Sequence, residues 1–155
     1  MGVKVQQRSD FVLDAQLCFA LHTASRAMTG CYRPLLDDIG LTYSQYAVML
    51  VLWEQDTVPL GTLCSRLQLD SGTLSPLLKR LETMGLVHRH RRAQDERTVQ
   101  VEITAAGSEL RGRAAQAQQQ VVLATGLAPQ ELTEMRDELH GLAARLRQAR
   151  AASGT

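Results

Sequence analysis

Leu69-Asp70-Ser71-Gly72-Thr73-Leu74-Ser75-Pro76-Leu77-Leu78-Lys79-Arg80-Leu81-Glu82 is the stretch on which the fold turns. Asp70 stands where a helix N-cap belongs, and Leu69 can staple against Leu74. Leu74, Leu77, Leu78 and Leu81 recur at helical spacing and form one apolar face. Gly85 sits where a C′ glycine ends a helix. The opposite face carries Gly72, Thr73, Ser75, Pro76, Lys79 and Arg80. Hydroxyls and cations make an unusual exposed face for so short a helix. Pro76 falls at the sixth helical position, which predicts a slight kink.

After Gly85 the period changes from helical to alternating. Val87, Arg89 and Arg91 alternate with Leu86, His88 and His90; further on, Val99, Val101 and Ile103 alternate with Thr98, Gln100 and Glu102. These read as two strands of one hairpin. The segment between them, Arg92-Ala93-Gln94-Asp95-Glu96-Arg97, is charged and expected at the surface. Upstream, Pro59 opens a helix with Leu60, Leu63 and Leu67 on one face. Leu60 to Ile103 therefore reads helix, short turn, helix, hairpin. A helix-turn-helix places its second helix in the major groove, and a hairpin wing beside it can bring arginines to phosphates or the minor groove. A plain α+β core is the alternative. It leaves the hydroxyl-lined face and its cations unexplained.

Working outward, the first eight residues are polar and expected to fray. Leu17, Leu21, Ala24 and Met28 have the period of a buried helix face, with Cys18 on its flank. Gly30 is expected to stop that helix, and Arg33-Pro34 to lead into a short element holding Leu35 and Leu36. Thr42 and Gln45 can form a capping box, with Leu41 stapled to Tyr46. The nearly unbroken apolar run from Tyr46 to Trp53 makes that helix central. Thr104 is expected to cap a helix carrying Leu110, Ala114, Ala117 and Val121 and ending at Gly126. Pro129 begins the last helix, in which Leu132, Met135, Leu139, Leu142 and Leu146 form a heptad seam. The fold expected is mainly α with a small β-hairpin wing. Residues 10–58 would supply N-terminal dimerisation helices leading into a winged helix-turn-helix over 59–103, and 104–148 C-terminal dimerisation helices. Two amphipathic end regions outside a self-contained unit point to a homodimer.

The chain has 155 residues, 45% hydrophobic and 21% charged, enough for one packed core. No run of eighteen apolar residues occurs, so no membrane helix is expected, and the N-terminus lacks the apolar region of a secretory signal. Cys18, Cys31 and Cys64 are odd in number and show no CxxC spacing. They predict neither a disulfide framework nor a metal site, and the reducing cytoplasm is the expected compartment. No cofactor is expected. Net charge is +1, but Lys79 to Arg92 holds five cations against the single acid Glu82. One concentrated basic segment on a near-neutral chain suggests a local polyanion contact. With aromatic residues at only 4% of the chain, a base-stacking single-strand platform is excluded.

The stretch from Leu63 to Thr104, above all Leu69 to Glu82 and Asp95-Glu96-Arg97-Thr98-Val99, resembles the MarR family of winged-helix repressors. The resemblance spans roughly residues 10 to 148. Within the family it is similar to the organic-hydroperoxide-sensing OhrR type, on Leu17-Cys18-Phe19, Tyr32-Arg33-Pro34-Leu35-Leu36, Leu41-Thr42-Tyr43-Ser44-Gln45-Tyr46 and Leu52-Trp53-Glu54.

That resemblance implies a redox switch rather than an enzyme. Taken alone, Cys18 reads as a small buried hydrophobe. By the resemblance it is a peroxidatic thiol, hydrogen-bonded by Tyr32 and Tyr43 of a partner subunit. Phenol donors favour the thiolate, and a hydroperoxide converts it to a sulfenic acid. Some members resolve that acid with a cysteine in the C-terminal helices, and this chain has none after Cys64. The implied route uses one cysteine and a small-molecule thiol. His22, one turn after Cys18, stands where some members carry a tyrosine, and can tune the thiol. Double-stranded, pseudo-palindromic operator DNA is the implied partner. Ser71, Thr73, Ser75, Pro76 and Lys79 would read the major groove, with Arg80 in reach of a phosphate. Arg91 and Arg92 would make sequence-independent contacts, and Arg97 would be held near DNA by Asp95. A repressor relieved by a small aromatic or phenolic ligand, with Cys18 incidental, remains the alternative.

Overall fold

The computed structural model describes residues 11–154, apart from the side chains of residues 95 and 96. A 3-10 turn at Leu13–Ala15 precedes helix α1 (Leu17–Asp37), then α2 (Tyr43–Gln55), strand β1 (Thr57–Pro59), α3 (Leu60–Leu67) and α4 (Ser71–Thr83). Strands β2 (Val87–Arg92) and β3 (Asp95–Ile103) follow, then α5 (Ala105–Glu109), α6 (Arg111–Ala124) and α7 (Pro129–Ser153). The result is the expected class, mostly helix with a small antiparallel sheet and a winged helix-turn-helix at its centre.

Local signals place several helix ends. Thr42 Oγ1 accepts from the Gln45 amide at 3.3 Å, and the Gln45 side chain accepts from the Thr42 amide at 2.9 Å. Asp70 accepts from the Thr73 amide at 2.7 Å. After α4, Gly85 takes φ +75°, its amide donates to the Glu82 carbonyl and the Leu86 amide to the Leu81 carbonyl. That pair of bonds is a Schellman ending. Pro129 is the first residue of α7, where its missing N–H leaves no bond unmade.

Four expectations are corrected. Helix α1 does not stop at Gly30; it continues through Gly30 and Pro34 to Asp37, absorbing the element expected at Leu35 and Leu36. The glycine that ends it is Gly40, at φ +75°, with the Leu41 amide on the Leu36 carbonyl. Burial of Tyr32 and Leu36, one on each side of Pro34, outweighs the local breakers. Second, the stripe Leu17, Leu21, Ala24, Met28 is not buried within one chain: Leu17 is 62% exposed and Met28 43%. Third, β1 adds a third strand, giving the order β1-β3-β2 with Val58 opposite Val101. Three residues ending in proline carry no readable period. Fourth, the helix capped by Thr104 breaks at Leu110 and restarts as α6. The hairpin strands also reach further than expected, pairing Arg92 with Asp95.

The core lies between α2, α3, α4 and the sheet. Val48, Met49, Leu52, Val58, Leu63, Leu74, Leu78, Leu81 and Val101 are fully enclosed. Trp53 Nε1 donates to the Gly107 carbonyl at 2.9 Å, a buried bond that ties α2 to α5. Gly107 is obligatory, because a Cβ there would overlap the Leu86 carbonyl oxygen. The residues through Gln119 form one compact unit and those from Gln120 onward a second. Within the second, α7 buries none of its residues, and Glu131 accepts from the Ala128 amide at 2.7 Å to cap it.

Candidate functional site

Helix α4 presents the face its sequence suggests. Leu74, Leu78 and Leu81 turn into the core, which leaves Ser71, Thr73, Pro76, Lys79 and Arg80 exposed and Ser75 half-buried. The Asp70 carboxyl at its head is held below the usual carboxylate range by the Thr73 amide and hydroxyl. Glu82, near its other end, binds the wing three times through Arg89: the backbone amide at 2.9 Å, Nε at 3.0 Å and Nη2 at 2.7 Å. Arg89 is thereby a strut, and it also lowers the Glu82 carboxyl's pKa. The remaining cations of the basic segment, Lys79, Arg80, Arg91 and Arg92, are all at the surface, as is Arg97. A register shift between Arg91 and Arg92 interrupts the strand pairing near the hairpin tip. The expected brace between Asp95 and Arg97 lies outside the described residues, because the Asp95 side chain is not among them.

The second constellation is spread over α1 and α2. Cys18 and His22 are exposed and share one face of α1, a turn apart. Tyr32 lies fourteen residues further along the same helix, about 21 Å at 1.5 Å per residue. One chain therefore cannot bring Cys18 to Tyr32. Tyr32 is buried against two further tyrosines: its ring lies 5.5 Å from Tyr43 and 5.4 Å from Tyr46. Tyr43 is 46% exposed, whereas Tyr46 is enclosed, 6.2 Å from the Trp53 ring. Burial raises the pKa of both the Tyr32 and Tyr46 hydroxyls above the usual phenol value. Both stay protonated and able to donate.

The sequence points to Tyr32 and Tyr43, but it offers Tyr46 and Trp53 only as core. The i, i+3 spacing of Tyr43 and Tyr46 is the sole hint of a shared face. Arg89 as a strut carries no local signal. A cavity of about 430 Å³ opens beside Tyr43, lined among others by Arg26, Thr29, Arg33, Asp37 and Thr42. Cys31 is exposed on α1 and Cys64 half-buried in α3. Among the described residues no group of three or more His, Cys, Asp or Glu could hold a metal, and no helix is long and apolar enough to cross a membrane.

Residues 31–112 match the family described as Transcriptional regulator SarA/Rot. The organic hydroperoxide resistance transcriptional regulator of Bacillus subtilis is 39% identical over 136 residues, covering 88% of this chain and 92% of that one. The chain belongs to the MarR family of winged-helix transcriptional regulators. Another relative, the HTH-type transcriptional regulator TtmR of Methylorubrum extorquens, is 46% identical over 138 residues, covering 84% of this chain and 71% of its own length. Among solved structures, reduced AbfR bound to DNA superposes with a TM-score of 0.74 at 33% identity, covering 90% of this chain and 98% of the other. That protein comes from Staphylococcus epidermidis. Its disulfide form superposes less well, at 0.64. The regulators with which this MarR-family chain aligns are thus matched along most of its length, and its hydroxyl-bearing helix lies inside the matched segment.

Proposed function

We propose that this regulator is a homodimeric repressor that holds a pseudo-palindromic operator while Cys18 is reduced and releases it when an organic hydroperoxide oxidises that thiol. One observation carries the reading: Cys18 and Tyr43 are both open to solvent, while about 21 Å of helix separates Cys18 from Tyr32. The thiol of one copy can meet the phenols only across a dimer. There, Tyr32 and Tyr43 of the other copy donate to the thiolate and favour the anion. His22, on the Cys18 face, adds a hydrogen bond when neutral or a positive charge when protonated.

Thiolate attack on the hydroperoxide yields a sulfenic acid and an alcohol. With no cysteine beyond Cys64, a small cellular thiol closes the cycle as a mixed disulfide with loss of water. Loss of the thiolate removes the acceptor that Tyr32 and Tyr43 share, and these residues sit on the two helices that lead into the reading unit. Trp53 on α2 then bonds Gly107, so a shift of α2 is felt at the base of the wing. A hundredfold fall in operator occupancy requires about 2.7 kcal/mol of difference between the two states. Rearranged hydrogen bonds to one anion, each worth roughly 1.5–3 kcal/mol, are of that size.

On DNA, Ser71, Thr73, Ser75, Pro76 and Lys79 enter the major groove and Arg80 reaches a phosphate. Arg91, Arg92 and Arg97 of the wing neutralise backbone. The reaction is a single turnover in the cytoplasm, not catalysis. The test is operator release by the purified chain in cumene hydroperoxide with a small thiol present. Cys18→Ser should stay bound where the native chain dissociates. Release by that variant at the native peroxide concentration defeats the proposal.

A further inference from the structure

We infer that DNA affinity is proton-linked through the wing: His90, between Arg89 and Arg91, receives a backbone phosphate in its imidazolium form, and His88 adds to the same charge. The inference rests on the DNA-binding reading above and gives the wing a contact that depends on pH. His88 and His90 are both exposed on β2. The register sets His88 opposite Glu102 and His90 opposite Gln100, so both rings project from one face of the hairpin. An open groove of about 280 Å³ is lined by Arg89, His90, Arg91 and Val99, and among the described residues no carboxylate lines it. Three nitrogen-bearing side chains around one concavity suit an oxyanion.

Charge balance gives the two histidines their weight. The cations of the hairpin are Arg89, Arg91, Arg92 and Arg97. Its acids are Asp95, Glu96 and Glu102 of β3, and α4 adds Glu82, which holds Arg89 and also feels the charge of His88. Four against four leaves this wing without net charge while both imidazoles are neutral, and protonation of both brings it to +2. Asp56 precedes β1, on the far side of β3 from β2. Glu102 Oε2 lies 3.7 Å from His90 Nδ1, beyond hydrogen-bond reach, so that nitrogen is not committed to it. Imidazoles ordinarily change charge between about pH 5 and pH 8, whereas the phosphodiester keeps its charge throughout. A proton taken up by His90 turns a ring with one N–H into a charged donor at both nitrogens. Two residues of strand, roughly 7 Å, separate His90 from Arg92, which is inside a Debye length at physiological salt. The imidazolium therefore also strengthens the hold on the phosphate that Arg92 meets.

The test needs no operator, because phosphate contacts carry no sequence information. The full, reduced chain is titrated against a fluorescein-labelled duplex of scrambled sequence, about 30 base pairs long, at low salt. Anisotropy is read at about pH 8 and about pH 6 with the salt held constant. Affinity should rise about tenfold on acidification, and the slope of log affinity against log salt should steepen by about one for each phosphate gained. In H90Q most of that rise should go, and in H88Q/H90Q all of it. H90R carries its charge at both pH values, so at about pH 8 it should bind nearly as tightly as the native chain does at about pH 6. A gain of affinity cannot come from a chain that fails to fold. H140Q, on α7, should keep the native response. Equal native affinity at the two pH values, or a rise that survives in H90Q, overturns the inference. So does a rise that is lost in H140Q, or an H90R chain that binds no more tightly than the native one at about pH 8. Absence of native binding at both pH values instead removes the DNA-binding reading itself.

Discussion

In α4 the leucines at 74, 78 and 81 are shut away from solvent, whereas α7 carries five apolar residues at heptad spacing and encloses none of them. Both helices have a clear apolar face. One face meets a core supplied by its own chain; the other keeps Met135 and Leu146 about half exposed. The first half of α1 behaves like α7, with Leu17 and Met28 open. The contrast separates what one chain can complete from what needs a second surface. The unit built on α2, α3, α4 and the sheet closes on itself. The two ends of the chain offer apolar seams that their own chain leaves open, and the homodimer proposed above would cover them.

The largest effect should come from cutting into the closed region. Leu78→Ala removes a fully buried side chain from under the hydroxyl-bearing face of α4, and about 2–5 kcal/mol of stability should go with it. A urea titration read by Trp53 fluorescence measures this, since Trp53 is the one tryptophan in the chain. A loss under about 1 kcal/mol would mean that α4 is not seated as described.

Next is the open seam. Leu139→Asp with Leu146→Asp should leave the closed unit folded, with its circular dichroism and Trp53 emission kept. Sedimentation should shift from dimer to monomer at micromolar concentration. Operator affinity should fall by at least about a hundredfold, because two linked reading heads become two independent ones. If the doubly substituted chain still sediments as a dimer, the seam is not the interface and the contrast drawn between α4 and α7 loses its meaning.

The same contrast explains what the sequence made legible. Asp70, Thr42 and Gly85 announced their roles because caps are settled within four residues of chain. The hydroxyl-bearing face of α4 was legible because its opposite face is so regular. Gly30 and Pro34 misled because the preferences they express are local, while the burial of Tyr32 and Leu36 that overrides them depends on the rest of the fold. Strand β1 exists only because β3 supplies its partner 43 positions away, as Val58 opposite Val101 shows. For the proposed thiol site, Cys18, Tyr32 and Tyr43 came from resemblance. Tyr46, whose ring packs 5.4 Å from that of Tyr32, needed coordinates.

The finest distinction between the two regions lies in their ion pairs, and the effect there is small. Glu82 spans from α4 to the wing through Arg89 at 2.7 Å, and both side chains are about a third exposed. The Arg89 hydrogen bonds hold the Glu82 carboxyl below its unfolded value. A depressed carboxyl contributes stability that is whole above the unfolded pKa, near 4.3, and is lost as pH falls through the folded one. Between pH 6 and pH 3 the native chain should therefore lose more unfolding free energy, read from urea titrations, than Glu82→Gln does, by under about 1 kcal/mol. The control sits in α7, where Arg136 and Asp137 are sequence neighbours 3.2 Å apart and more than half exposed. Asp137→Asn should reproduce the native profile, since an exposed pair between adjacent residues constrains nothing beyond its own turn. Parallel profiles for all three chains would show that Arg89 does not brace the wing. A slope that flattens only in Glu82→Gln would locate the brace at the junction of α4 and the hairpin, where the carboxylate meets the Arg89 backbone amide and guanidinium.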